Sequence, residues 1–111
     1  MAARKGVKIA LGSDCGIPDL TPHGENALEI VLYAQLVGVE PVEAIHRGTG
    51  AAAEAIQLGQ EIGTLTPGKA GDVVVVRGDL EADLSLLLDH RNIRHVFKSG
   101  EHYVEDAKLI V

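Results

Sequence analysis

Gly6-Val7-Lys8-Ile9-Ala10-Leu11-Gly12-Ser13-Asp14 is the stretch from which the rest of the chain is read. Val7, Ile9 and Leu11 alternate, Ala10 and Gly12 are small, and the apolar run stops at a carboxylate followed by Cys15-Gly16. This pattern predicts a buried strand that delivers Asp14 to its C-terminal edge. In proteins built of strands and helices, that edge is where ligands bind and chemistry is done. Only Met1 to Lys5 precede the stretch, so the sheet to which it belongs is expected to lie outside this sequence.

A chain of 111 residues allows one domain with a modest core. Hydrophobic residues make up 46% and charged residues 23%, which is globular composition rather than disordered. Aromatics are only 3%, so Val, Leu, Ile and Ala must build the core. Sixteen acids against ten bases give a formal charge of −6 without a basic cluster. That argues against nucleic acid as a partner, because neutralising phosphates needs concentrated Lys and Arg. The longest apolar stretch, Ala27 to Val39, is interrupted by Glu29 and Gln35 and is too short to span a bilayer. The N-terminus is basic but has no apolar signal core. A single cysteine excludes an internal disulfide framework and fits a reducing compartment, so a cytoplasmic protein is expected.

After the strand, Cys15 to His23 reads as a loop that either lines a site or merely connects. A helix is predicted from about Glu25 to Val37, apolar nearly all round and so needing cover on more than one side, with Gly38 as its left-handed cap. Pro41 suits the first turn of a second helix, about Val42 to Arg47. Thr49 is the expected cap of a third, about Gly50 to Leu58.

From Ile62 the period changes. Ile62 to Leu65 is predicted as a short strand, Thr66-Pro67-Gly68-Lys69 as a tight turn, and Asp72 to Arg77 as a strand. The four valines Val73 to Val76 predict burial on both faces. Leu84 to Asp89 reads as a helical turn. Ile93 to Lys98 and His102 to Glu105 read as a hairpin across Ser99-Gly100-Glu101, and Ile110-Val111 as a last short strand. The order is one strand, three helices, then antiparallel strands, with the boundary between two units at residues 60/61.

The stretch Gly6 to Asp14, followed by His23-Gly24-Glu25-Asn26, resembles the final barrel strand and following loop of the metal-dependent amidohydrolases, in the group of prolidase-like and imidazolonepropionase-like enzymes. The resemblance continues through Ile62-Gly63-Thr64-Leu65-Thr66-Pro67-Gly68-Lys69-Ala70-Gly71-Asp72 and Val73 to Val76. It closes with Asn92-Ile93-Arg94-His95-Val96-Phe97-Lys98-Ser99-Gly100. Gly-Ser-Asp alone is a weak signal; the three stretches in this order cover nearly the whole chain. Ser13 stands where Thr is commoner in the family, Cys15 and Gly71 where Ala is, and Leu80 where Pro often follows Gly-Asp.

The resemblance implies an α/β plus β fold. Residues 1–60 would be the last β/α unit and C-terminal helices of a (β/α)₈ barrel, and residues 61–111 the C-terminal half of a small β-sandwich. It implies metal-dependent hydrolysis of a carbon–nitrogen bond in an amide, cyclic amide or dipeptide. By the same resemblance Asp14 is the catalytic carboxylate and a metal contact, taking a proton from metal-bound water, and the cofactor is a divalent metal, usually zinc. His23, in the loop at the mouth, is the candidate substrate contact.

The family's His-x-His pair does not occur here. His46, His90, His95 and His102 are scattered without ligand spacing and read as surface or sheet residues. A catalytic zinc needs about three protein ligands, so this chain by itself is expected to bind no metal tightly and to be inactive alone. Cys15 reads as a small buried residue rather than a nucleophile, and Asp72 as a turn-shaping residue. The expected partner is the remaining barrel portion or a second copy of the chain, with a small amide or dipeptide substrate and no membrane. The alternative is a non-catalytic structural or assembly module that keeps the fold elements without the metal centre.

Overall fold

The computed structural model describes residues 5–111; the basic N-terminal residues as far as Arg4 lie outside it. Three helices come first: α1 (Leu28–Val37), α2 (Pro41–Gly48) and α3 (Gly50–Ala55). Four strands follow: β1 (Val73–Val76), β2 (Ile93–Lys98), β3 (Glu101–Glu105) and β4 (Lys108–Leu109). The strands form one antiparallel sheet in the order β1-β2-β3-β4. Between β1 and β2 a 3₁₀ helix, Leu84–Leu88, carries Leu84 into a small core with Val31 of α1 and Ala44 of α2.

The helix ends follow the sequence in part, α1 starting at Leu28 rather than Glu25. Gly38 takes φ +72° and returns its N–H to the Ala34 carbonyl, closing α1. Pro41 opens α2, its missing N–H being one that no helix start can satisfy internally. Thr49 does not cap α3 with its side chain. Its hydroxyl turns back to donate to the Ile45 carbonyl of α2 at 2.8 Å. Gln57, at φ +64°, follows the end of α3, which stops at Ala55 rather than Leu58.

The predicted strand Ile62–Leu65 is a turn. Gly63 takes φ +93°, which breaks an extended run, and the Lys69 ammonium draws the segment round itself. That ammonium donates to the Gly59 carbonyl at 2.6 Å and the Thr64 hydroxyl at 2.7 Å. Acceptors gathered round one cation cannot also lie along a ladder. The turn Thr66 to Lys69 forms as expected, with Pro67 then Gly68 at φ +92° in its centre and Lys69 N–H donating to Thr66.

The hairpin β2–β3 turns on two residues, Ser99 (φ +54°) and Gly100 (φ +83°), so β3 starts at Glu101, one residue early. Asp106 and Ala107, both at positive φ, make a second such turn, and β4 is Lys108–Leu109 rather than Ile110-Val111. Asp72 clamps the first turn: one carboxylate oxygen accepts the Ser99 N–H at 2.8 Å and the other the Lys98 ammonium at 2.6 Å.

Two burial expectations fail together. Val74 and Val75 are 57% and 41% exposed, and on α1 only Val31 is buried while Leu36 is 76% exposed. β1 is an edge strand among the described residues, and the helix's main packing is against α2 and the 3₁₀ helix Leu84–Leu88.

Candidate functional site

The segment that ends at Asp14 is extended but pairs with no strand among the described residues. One main-chain hydrogen bond ties it to the helices, from Leu11 N–H to the Arg47 carbonyl at 3.0 Å. Even so, it keeps the period of a strand. Ile9, Leu11, Ser13 and Cys15 are half-buried, whereas Lys8, Ala10, Gly12 and Asp14 between them are exposed. The odd residues face the helices; Leu11, for instance, lies beside Gly48, 3.9 Å from where a Cβ on that glycine would stand. The even residues form an open face that is basic at Lys8, small at Ala10 and Gly12, and acidic at Asp14. A buried strand was expected here, and the exposure corrects it: one face is packed and the other, bearing Asp14, is free.

Asp14 itself sits at φ +49°, in the left-handed region that Asp enters more readily than most side chains. Such a conformation costs free energy and persists only where neighbours enforce it. The neighbours are in the next loop. Thr21 Oγ1 donates to the Asp14 carbonyl at 3.1 Å, and Gly16 N–H donates to the Thr21 carbonyl at 2.8 Å. Ile17 and Thr21 form an isolated antiparallel bridge, so residues 15–22 fold back on themselves as a closed loop with Asp14 at its root.

His23 leaves that loop and lays its imidazole over Gly16. A Cβ on Gly16 would stand 3.6 Å from both Cε1 and Nε2 of His23. Asp14 and His23 thus belong to one loop system, both exposed, with no hydrogen bond between their side chains. On the opposite, packed side a shallow depression lies against the start of α1, lined by Ser13, Cys15, Thr21, Pro22, Leu28 and Glu29. Cys15 is half-buried there.

Among the described residues no three His, Cys, Asp or Glu side chains converge in a way that could hold a metal ion. A catalytic zinc takes about three protein ligands, so these residues do not by themselves fit such a group, and Asp14 offers one carboxylate only. His46 stands on α2, where its ring crowds Gly50, and His90 lies 3.9 Å from Glu25. His95 and His102, by contrast, meet across the sheet, Nδ1 to Nε2, at 3.2 Å.

The chain resembles known proteins over nearly all its length. The model of the amidohydrolase family matches residues 1–102. Imidazolonepropionase of Geobacillus kaustophilus (strain HTA426) is 30% identical over 106 residues, which is 96% of this chain and 25% of that protein. Among solved structures, Aspergillus niger ochratoxinase superposes with a TM-score of 0.82 at 28% identity, over 94% of this chain and 23% of that one. A Xaa-Pro dipeptidase with methionine bound in its active site gives 0.79 at 34%, over 93% and 24%. The chain therefore spans about a quarter of the length of the relatives it matches. With a family match across 1–102, the chain belongs to the amidohydrolase family, whose C-terminal portion it resembles.

Proposed function

We propose that this chain supplies the C-terminal portion of a metal-dependent hydrolase of carbon–nitrogen bonds, with Asp14 as its catalytic carboxylate. The substrate class is an amide, a cyclic amide or a dipeptide, in keeping with relatives named as an imidazolonepropionase and a Xaa-Pro dipeptidase. The observation that carries the reading is the open face of residues 8–14. Small residues there (Ala10, Gly12) leave room, and the face ends in a carboxylate held in an uncommon backbone conformation. A barrel strand needs that arrangement: one face against its helices, the other inward, with its reactive side chain at the C-terminal end.

On this reading residues 1–60 complete a (β/α)₈ barrel whose other strands hydrogen-bond the unpaired edges of residues 7–14. Residues 61–111 complete a small β-sandwich, which would cover the face of β1 that bears Val74, opposite the face of Val75 and His95. Asp14 accepts a proton at its carboxylate, and His23 contacts substrate from the loop above it. The divalent metal, usually zinc in the family, would be held mainly by groups outside the described residues.

The test is complementation. The remaining barrel portion of a family member, made as a separate polypeptide, is mixed with this chain and a zinc salt, then assayed on cyclic amides and Xaa-Pro dipeptides. Hydrolysis that requires both polypeptides is the expected result. A stable complex that hydrolyses none of them would instead assign the chain as a non-catalytic assembly module.

A further inference from the structure

We propose that His95 and His102 form a surface site for one exchangeable divalent transition-metal ion, of the zinc, nickel and copper(II) class. The site lies on the C-terminal sheet and rests on the sheet alone, not on the hydrolytic reading.

Three observations build it. The two-residue turn at Ser99-Gly100 sets His102 opposite Phe97, and His95 lies two residues from Phe97 on the same face. This brings His95 Nδ1 and His102 Nε2 to 3.2 Å, with ring centroids 5.3 Å apart. Two nitrogens bound to one tetrahedral ion at ordinary zinc–nitrogen lengths stand about 3.3 Å apart. The ion would therefore replace the shared proton with little change in separation, the rings turning so that both lone pairs point at it.

Phe97 stacks on His102 at 4.3 Å and 11°, which holds that ring in place before anything binds. Pre-ordering of this kind lowers the entropy cost of coordination.

Across the ladders His95 faces Glu105 on β3 and Val75 on β1, and Phe97 faces Val73. Glu105 is exposed and directly opposite His95, and it faces Lys108 on β4 in turn, so the two nitrogens rather than the local charge would carry the binding. Imidazole nitrogens select zinc, nickel and copper over magnesium or calcium. With two protein ligands, water must complete the coordination sphere, so the ion exchanges readily.

The experiment titrates the full 111-residue chain, stripped with a chelator, with zinc, nickel or copper(II) chloride. Heat and the imidazole NMR signals are followed together. One saturable ion per chain is expected, with copper(II) tightest, and acidification should weaken binding because protons compete for the same lone pairs. His95→Gln and His102→Gln should each weaken binding at least about tenfold, while His46→Gln and His90→Gln leave it unchanged. Should His102→Gln disturb the sheet, His95→Gln decides, since it keeps the Phe97–His102 stack. Binding that survives His95→Gln, or no saturable binding up to about 1 mM ion, overturns the proposal.

Discussion

The Thr21 hydroxyl reaches back across seven residues to donate to the main-chain oxygen of Asp14 at 3.1 Å. Among the described residues it is the side-chain hydrogen bond that ties the loop 15–22 to the carboxylate's own backbone, which sits at φ +49°. Thr21→Val keeps the shape of the side chain and removes the donor. A hydrogen bond of this kind is worth about 1 kcal/mol, or roughly fivefold in a rate if the strain it holds is used in the transition state. In the complemented enzyme kcat should fall by about that factor, with KM nearly unchanged. An unaltered kcat would mean that the clasp shapes the loop and not the site.

Gly63 should be the least replaceable glycine of the chain. A Cβ there would stand 2.5 Å from the Cβ of Ala53 and 3.1 Å from the Thr49 carbonyl, and the backbone is at φ +93°. Gly68 has nearly the same backbone, φ +92°, but open space around it. Gly68→Ala should therefore lose about 1 kcal/mol, from conformation alone, and Gly63→Ala about 2–4 kcal/mol, from conformation plus overpacking. Urea unfolding of the two variants checks the difference; equal losses would contradict the close packing of α3 on the turn at Gly63.

Acid should loosen the sheet through Asp72. The Lys98 ammonium and the Ser99 N–H bonded to its carboxylate hold its pKa below the usual 3.8. A depressed folded-state pKa gives stability that is complete above the unfolded value and is lost as pH falls through the folded one. Asp89 behaves alike, held near 2 by the Arg91 guanidinium, so its own contribution is lost from about 3.8 down to about 2, and that of Asp72 below 3.8. Asp72→Asn should cost stability at neutral pH and lose less of it on acidification than the parent. Urea midpoints measured across that window read the effect, and parallel curves for the two proteins would remove Asp72 from it.

How much of this was legible in the sequence depends on whether local chemistry or distant contact decided each element. Gly38, Pro41 and the Thr66 to Lys69 turn carry their own instructions, and they folded as written. Ile62 to Leu65 looked like a strand because Ile and Leu flank it; the deciding contacts, Lys69 on Gly59 and Gly63 on Ala53, join residues that no short window shows together. Val73 to Val76 carries the signal of a strand buried on both faces, yet burial belongs to the neighbours and not to the strand.

The histidine pair was hidden by a single residue. A three-residue turn at Ser99-Gly100-Glu101 would set His102 opposite Lys98, on the other face from His95. The observed two-residue turn moves it opposite Phe97 and brings the two rings together. Asp14 was legible as the end of an extended run. Its left-handed backbone and the Thr21 clasp had no local signal.

By itself the chain should associate with copies of itself. Residues 7–14 leave strand edges unpaired, and Val74 and Leu36 lie exposed on surfaces that a monomer rarely leaves open. Sedimentation should show a mass that rises with concentration, most simply toward a symmetric dimer. Adding the complementary barrel portion should dissolve the self-association, because both use the same surfaces. A sharp monomer that unfolds cooperatively and binds no apolar dye would count against this.

Asp14→Asn separates the catalytic reading from a merely structural one. The substitution keeps size, one acceptor oxygen and a residue that also tolerates positive φ, so the backbone at φ +49° should persist. What it removes is the negative charge and the capacity to accept a proton. Asp14 is exposed on the open face, without a side-chain partner among the described residues, so the fold should lose little. In the complemented enzyme, turnover should fall by roughly 10²–10⁴-fold, the usual worth of a positioned acid or base. KM should change far less, because the lost interaction belongs mainly to the transition state. In the 111-residue chain alone, the midpoint of unfolding should move little in either direction. Steady-state kinetics of the paired proteins, alongside urea unfolding of each chain, reads both arms. Full turnover with Asn in place would reduce Asp14 to the residue that ends an extended segment, and the carboxylate of the reaction would then have to be sought on another strand.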